Sequence, residues 1–347
     1  MKQHPDPASE PSRRRFLQYL GVLAVGARGA LQAGTARADS EPVTGFTDEI
    51  PPMTYRTLGR TGFKASRLVF GCGAALSKTP RDELLNAALD AGVNVFDVGH
   101  RGYYNDAEMN LGPFIRKARD RTFLISKATV LPDVDQDAEI TTAQARQAAR
   151  EWSKELDGSL GELGVDHIDA YYLMAAFNTS VVGNDEIYEA FQRAKQAGKV
   201  SHLGLSTHQN AQKVLDTASA SGRFDLAMIA ITPAGWYDWE SRGILKETDP
   251  MTALKPVLDR ARAAGIGLVG MKAGRYLAGR KFLGWGNPSA YDDYYDEKFM
   301  KSGLSPFQRS YAYVLGHGLD VVNADMQSFP HLQENLVAAT TSQQYFA

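Results

Sequence analysis

From Met53 onward, short apolar runs alternate with longer segments in which apolar residues recur every three or four positions. The short runs are Leu68–Phe70, Val93–Asp97, Thr122–Ser126, Ile168–Leu173, Val200–Ser206, Leu226–Ile231, Gly267–Met271 and Val321–Asn323. Each reads as a strand buried on both faces, because nearly every position is apolar rather than every second one. The longer segments read as helices. Thr79-Pro80-Arg81-Asp82 opens the first with a hydroxyl cap, a proline and an acid, Leu84, Leu85, Ala88 and Leu89 form its stripe, and Gly92 ends it. Residues 142–163, 184–197 and 210–221 repeat the pattern, with Gly164 and Gly198 at helix ends. Strand–helix alternation predicts a parallel sheet, and eight such units predict an α/β fold closed as a (β/α)8 TIM barrel.

Three stretches stand outside this rhythm. Residues 55–64 carry a glycine-punctuated hairpin pattern that could close the bottom of a barrel. Residues 274–304 hold glycine, proline, tryptophan and several tyrosines with little periodicity. They read as a long loop after the seventh strand, either covering the C-terminal face or packed on the surface. Before Met53, Ser12-Arg13-Arg14-Arg15-Phe16-Leu17 leads into a weakly apolar segment, Tyr19 to Ala27, that ends near Ala36-Arg37-Ala38. A cationic start, a modest apolar core and small residues at the end resemble a twin-arginine leader. The expected organisation is a signal peptide over 1–38, a proline-bearing linker over 39–53 and a barrel over 54–347. Residence in the periplasm, after passage through the twin-arginine translocase, is expected with it. A leader of this kind is understood to carry folded proteins.

Composition narrows the function classes. A net charge of −2 gives no electrostatic reason to expect nucleic acid. One cysteine, Cys72, excludes an intramolecular disulfide. No run of 18 or more apolar residues predicts a permanent membrane span. The histidines are scattered and no metal-binding or phosphate-loop motif is present, so no metal site is expected.

Chemistry in a barrel belongs at the strand tips. Asp97 ends the second strand, Tyr103 and Tyr104 follow in its loop, and Lys127 ends the third. A phenol beside an ammonium that a carboxylate holds can protonate an alkoxide, and the ammonium is expected to lower the phenol pKa. A structural ion pair with two packing tyrosines is the other reading of the same residues.

Two signature stretches, Gly92-Val93-Asn94-Val95-Phe96-Asp97 and Tyr104-Asn105-Asp106-Ala107-Glu108-Met109-Asn110-Leu111-Gly112, resemble the aldo-keto reductase signature. Ser159-Leu160 through Asp169, Gly198-Lys199 through His208 and His331-Leu332-Gln333-Glu334-Asn335 resemble further segments of that family, over about Tyr55 to Ala339. The resemblance implies Asp97, Tyr104 and Lys127 as catalytic residues. It places Ser206 and Thr207 by a nicotinamide carboxamide, Met271 over the ring face with Lys272 beside it, and Ser328, Glu334 and Asn335 toward the adenosine end. It implies an oxidoreductase passing hydride between NADP or NAD and a small carbonyl or alcohol substrate.

Four positions depart from the family pattern. Met174 stands where a catalytic histidine ends the fourth strand, and a thioether offers no donor to a carbonyl oxygen. Loss of one such donor typically costs on the order of 10²–10³ in rate; His100 and Tyr103 are the nearest substitutes by sequence. The loop from Asp97 is two residues longer than the pattern, which leaves Tyr103 as an alternative to the preferred Tyr104. Met228 replaces an amide. Asp325 and Gln327 stand where cations are common, which disfavours a 2′-phosphate. A barrel with altered or lost redox chemistry that binds a ligand is therefore the alternative, and an envelope scaffold a third.

Overall fold

The computed structural model describes residues 51–131, 133–278 and 286–346. The expected leader, the first part of the linker and residues 279–285 of the long loop lie outside the described residues.

All eight expected strands form. They are β3 (Leu68–Gly71), β4 (Val95–Asp97), β5 (Phe123–Thr129), β6 (Ile168–Met174), β7 (Val200–Thr207), β8 (Leu226–Thr232), β11 (Gly267–Met271) and β12 (Val321–Asp325). Each pairs in parallel with its neighbours, and pairing of β12, the last strand, with β3, the first, closes the ring. Eight helices follow the strands in turn: α1 (Asp82–Asp90), α2 (Ala107–Ala118), α3 (Thr142–Leu163), α4 (Asp185–Gln196), α5 (Ala211–Ser221), α6 (Lys255–Ala263), α7 (Pro306–Gly316) and α8 (Phe329–Phe346). The chain is a (β/α)8 barrel.

Strand alternation divides the apolar residues into two sets. Leu68, Phe70, Phe96, Leu124 and Ala128 pack outward against the helices in the larger cluster. Val69, Val95, Phe123, Ile125, Ala170, Tyr172, Leu226, Met228, Val269 and Val321 fill the barrel interior. The inward parity carries each strand's last inward residue to the C-terminal face, which is where Asp97, Lys127, Met174, Ser206, Met271 and Asn323 sit.

Helix ends follow local chemistry with one correction. Thr141 and Gln144 form a reciprocal capping box on α3, and Gly164 ends that helix at φ 65°. The expected Thr79 cap does not form. The helix starts at Asp82, because Arg81 is held non-helical at φ −140° and its guanidinium is turned back to the Ala75 carbonyl at 2.8 Å.

The hairpin of β1 (Tyr55–Thr57) and β2 (Lys64–Ser66) lies across the opposite end. Its turn packs on the start of β11. Arg60 N–H donates to the Gly265 carbonyl at 2.7 Å, and the Arg60 guanidinium reaches the Phe224 carbonyl at 2.5 Å. Gly59 has φ +52°, and a Cβ there would lie 2.2 Å from the Gly267 nitrogen. Both backbone conformation and space require glycine. Gly59→Ala is expected to lower stability by roughly 2–4 kcal/mol, read as a fall in the chemical-denaturation midpoint with an unchanged slope.

Candidate active site

The site is built around an ion pair. Register opposes Asp97, the last residue of β4, to Ile125 of β5. Lys127 is therefore the next inward residue beyond it, and its Nζ donates to Asp97 Oδ1 and to the Val98 carbonyl, each at 2.5 Å. Asn323 on β12 donates to the other carboxylate oxygen at 2.6 Å and to the Met228 sulfur at 3.5 Å. Both charged side chains are buried. Burial pushes the Asp97 carboxyl above its ordinary value, against the opposing pull of Lys127 and Asn323. Such a pair holds because each oxygen has a donor.

Tyr104 ends a one-turn helix, Arg101–Tyr104, that takes up the extra residues of this loop. Its ring is slotted between two glycines. A Cβ on Gly73 would lie 2.4 Å from the ring's Cε1, and one on Gly99 would lie 2.9 Å from its Cδ2. The Lys127 ammonium is 5.9 Å from the ring centroid. The expected lowering of the phenol pKa by Lys127 is not what this geometry produces. Burial, then Tyr103, Asp97 and Asp325, push Tyr104 well above 10. The ammonium is already engaged by Asp97 and a carbonyl, so the resting phenol is neutral and can donate. Tyr103 packs edge-on against Tyr104 at 4.7 Å, and burial pushes it up to about 12.

Met174 occupies the inner tip of β6, opposite Ser206 in register. His100, one of the two substitute donors read from the sequence, faces away from it. Its Nδ1 lies 3.0 Å from Glu155 Oε2 on α3, and its Nε2 is buried without a partner among the described residues.

The residues expected to hold a cofactor lie around the same face on three elements. Ser206 and Thr207 end β7; the Thr207 hydroxyl donates to the Gln209 carbonyl at 2.5 Å, while the Ser206 hydroxyl has no partner among the described residues. Met271 ends β11 facing inward, and Lys272 follows at φ +67° with its ammonium 4.9 Å from the Trp239 ring centroid. Burial, with Arg275 nearby, brings Lys272 down to about 8. Ser328 caps the start of α8, its hydroxyl accepting from His331 N–H at 3.4 Å. Glu334 accepts from the Ser305 hydroxyl at 2.6 Å, and Asn335 is buried beside it. Gln327 donates to Asp325 at 2.9 Å. A free hydroxyl, an inward thioether and a strand-tip ammonium fit a nicotinamide dinucleotide.

Three features are not anticipated from sequence. Asn323 follows from strand parity once the ring is closed. A short hairpin, β9 (Gly235–Asp238) and β10 (Gly243–Ile244), folds back from β8. It buries Tyr237 in the interior cluster and lays Trp239 against it. His208 stacks on Trp239 at 5.0 Å and 25°. Tyr276, Tyr291 and Tyr295 of the 274–304 loop pack beside this hairpin with Ile244, Tyr291 being buried against Ala234 and Leu277, while Tyr294 is exposed.

One more carboxyl supports the site from outside the ring. Glu108 on α2 is buried and accepts from the hydroxyl of Ser126, the neighbour of Lys127, at 2.6 Å. Burial pushes its pKa up to about 7 against the hydrogen bonds from Ser126 and Ser159.

Together these observations define a barrel with a proton-donating constellation at its C-terminal face. The chain belongs to the aldo/keto reductase family, whose profile matches residues 67–246, from the start of β3 to just past β10. Members of that family generally use NAD(P)H, and membership supports oxidoreductase activity. Over 238 residues the chain is 27% identical to YrpG of Bacillus subtilis, an uncharacterized oxidoreductase, covering 66% of this chain and 69% of that one. Over 178 residues it is 28% identical to a protein of Oryza sativa subsp. japonica described as a voltage-gated potassium channel subunit beta, covering 50% and 52%. Two solved structures from Pseudomonas aeruginosa described as aldo-keto reductases share the fold at TM-scores of 0.57 and 0.58, with 22% and 21% identity. Each match covers 85% of this chain, and 98% and 97% of the other.

Glu108 makes stability depend on pH. Its carboxyl ionises near 4.5 in the unfolded chain and about 7 in the fold. Its contribution is full below pH 4.5 and is lost as pH rises through 7, because the native state binds the extra proton. The loss is about 3 kcal/mol. Glu108→Gln, which keeps an acceptor for Ser126, is expected to flatten this slope in denaturant titrations between pH 4.5 and 8.

Proposed function

We propose that this protein is an exported NAD(P)H-dependent oxidoreductase that passes hydride between the nicotinamide and a small carbonyl or alcohol substrate, with Tyr104 as proton donor. One observation carries the reading: a neutral phenol, fixed between Gly73 and Gly99, stands beside a buried Lys127–Asp97–Asn323 unit at the barrel mouth. The dinucleotide, when bound, supplies the hydride. The chain's own residues do the rest. Ser206 offers its hydroxyl to the carboxamide, Met271 faces the ring, and Lys272 with Arg275 offers positive charge to the phosphates. Tyr104 gives its proton to the substrate oxygen as negative charge develops there. Lys127 then steadies the phenolate, and Asp97 fixes the ammonium. The high phenol pKa favours reduction near neutral pH, since alcohol oxidation needs the phenolate first. Asp325 and its bonded Gln327 leave no guanidinium for a 2′-phosphate, so NADH is expected to bind at least as tightly as NADPH.

A second reading, a barrel that binds a ligand without hydride transfer, is favoured by Trp239, which lies between strand tips β7 and β11 against His208 and Lys272. Nucleotide titration followed by tryptophan fluorescence separates the two. Saturable binding of NADH or NADPH with turnover of 4-nitrobenzaldehyde supports the oxidoreductase; absence of both removes it. Tyr104→Phe is expected to keep the nucleotide dissociation constant and lower kcat by on the order of 10²–10⁴.

Export through the twin-arginine translocase to the periplasm rests on the leader pattern alone. The expected periplasmic protein begins at Asp39 by intact mass, and replacing Arg13 and Arg14 together by lysine is expected to hold it in the cytoplasm. A full-length chain recovered from the cytoplasm of cells carrying the native leader would sink the export proposal.

A further inference from the structure

Reduction of a carbonyl places charge on its oxygen, and a site with two donors aimed there stabilises that charge better than one. Tyr104 is one donor. At the tip of β6 the side chain is the Met174 thioether, which donates nothing. The adjacent strand carries a replacement. On β7 the inward positions are Gly204, whose Cβ would strike the inner Tyr172 ring at 2.1 Å, and Ser206, which opposes Met174 in register. His208 is the next residue on that parity. It stands just beyond the strand end, one inward step above Met174.

Its surroundings fit a donor. The imidazole is stacked on Trp239 at 5.0 Å and 25°, which fixes the plane of the ring. Trp239 is itself packed on the interior cluster and contacted by the Lys272 ammonium. His208 is half-buried, and its imidazole makes no hydrogen bond among the described residues. The other nearby groups are committed or enclosed: His100 faces Glu155, Tyr103 packs on Tyr104, and the Tyr172 hydroxyl is fully buried below.

We infer that His208 donates the second hydrogen bond to the substrate oxygen, from the tip of β7 in place of the tip of β6. This assignment rests on the oxidoreductase reading above. Burial, with the Lys272 and Lys127 ammonium groups, holds the imidazole well below its ordinary pKa. It therefore acts as a neutral N–H donor and leaves the proton transfer to Tyr104.

Three variants and one spectrum test it in the full mature protein. His208→Phe keeps the stack on Trp239 and removes the N–H. It is expected to lower kcat for 4-nitrobenzaldehyde by on the order of 10²–10³, with the NADH dissociation constant unchanged. His208→Gln restores an N–H donor and is expected to recover at least tenfold of that loss. Met174→His is expected to restore activity to the His208→Phe background. A His208→Phe enzyme within threefold of wild type overturns the assignment. The spectrum reads the donor without turnover: acetate, a carboxylate standing in for the developing oxyanion, is expected to shift the His208 imidazole ¹⁵N resonances saturably at pH 7.5. No shift overturns the assignment. A wild-type protein that neither binds nucleotide nor reduces the aldehyde defeats the oxidoreductase reading and this assignment with it, whereas an active wild type with an unimpaired His208→Phe enzyme defeats the assignment alone.

Discussion

The Lys127–Asp97 pair is the constraint on which the rest of the mouth depends. Two opposite charges removed from water hold together only with close geometry and further hydrogen bonds to both partners. Here the partners come from three places: the Val98 carbonyl, the Asn323 amide and the two charges themselves. Two of those partners sit on adjacent strands and one on the far side of the closure. The pair is thus satisfied only in a finished barrel, and the position of Tyr104 over it inherits that rigidity.

The pair also explains why the tyrosine behaves as it does. A free ammonium beside a phenol would pull it toward the phenolate. With its charge offset by Asp97 and two of its three N–H groups taken by a carboxylate and a carbonyl, Lys127 pulls little on the resting Tyr104 phenol, and burial dominates. The site is therefore poised as an acid. The opposite wall of the mouth is left to other groups, and there the structure offers Ser206, Met271, Lys272, Trp239 and His208.

Much of the fold is legible in the sequence because burial on both faces leaves unbroken apolar runs. All eight of those runs overlap a barrel strand, and six of the strands continue past the end of the run. Ends are less legible. Val93 and Asn94 are not strand, since the Val93 N–H bonds the Ala88 carbonyl and Asn94 spends its side chain on Ser66 and Lys64. Thr79 and Pro80 look like a helix start, but the backbone at Arg81 delays it. At the site, Asp97 and Lys127 can be found by strand-tip position alone. Asn323 cannot, because its partner is 226 residues away and meets it only through closure. His208 and Trp239 are equally hidden, since their contact depends on a hairpin, β9–β10, whose path no periodicity reports.

Ring closure also sets an order in time. Strand β3 pairs on one side with β4, which follows soon after it, but on the other side with β12, near the end of the chain. During synthesis the first strand must wait, with one edge unpaired, until almost the whole polypeptide has left the ribosome. Long-range pairing of this kind is slow and leaves nascent chains open to misassembly. Under the export proposed above, the address at the amino end emerges from the ribosome long before the barrel can be complete.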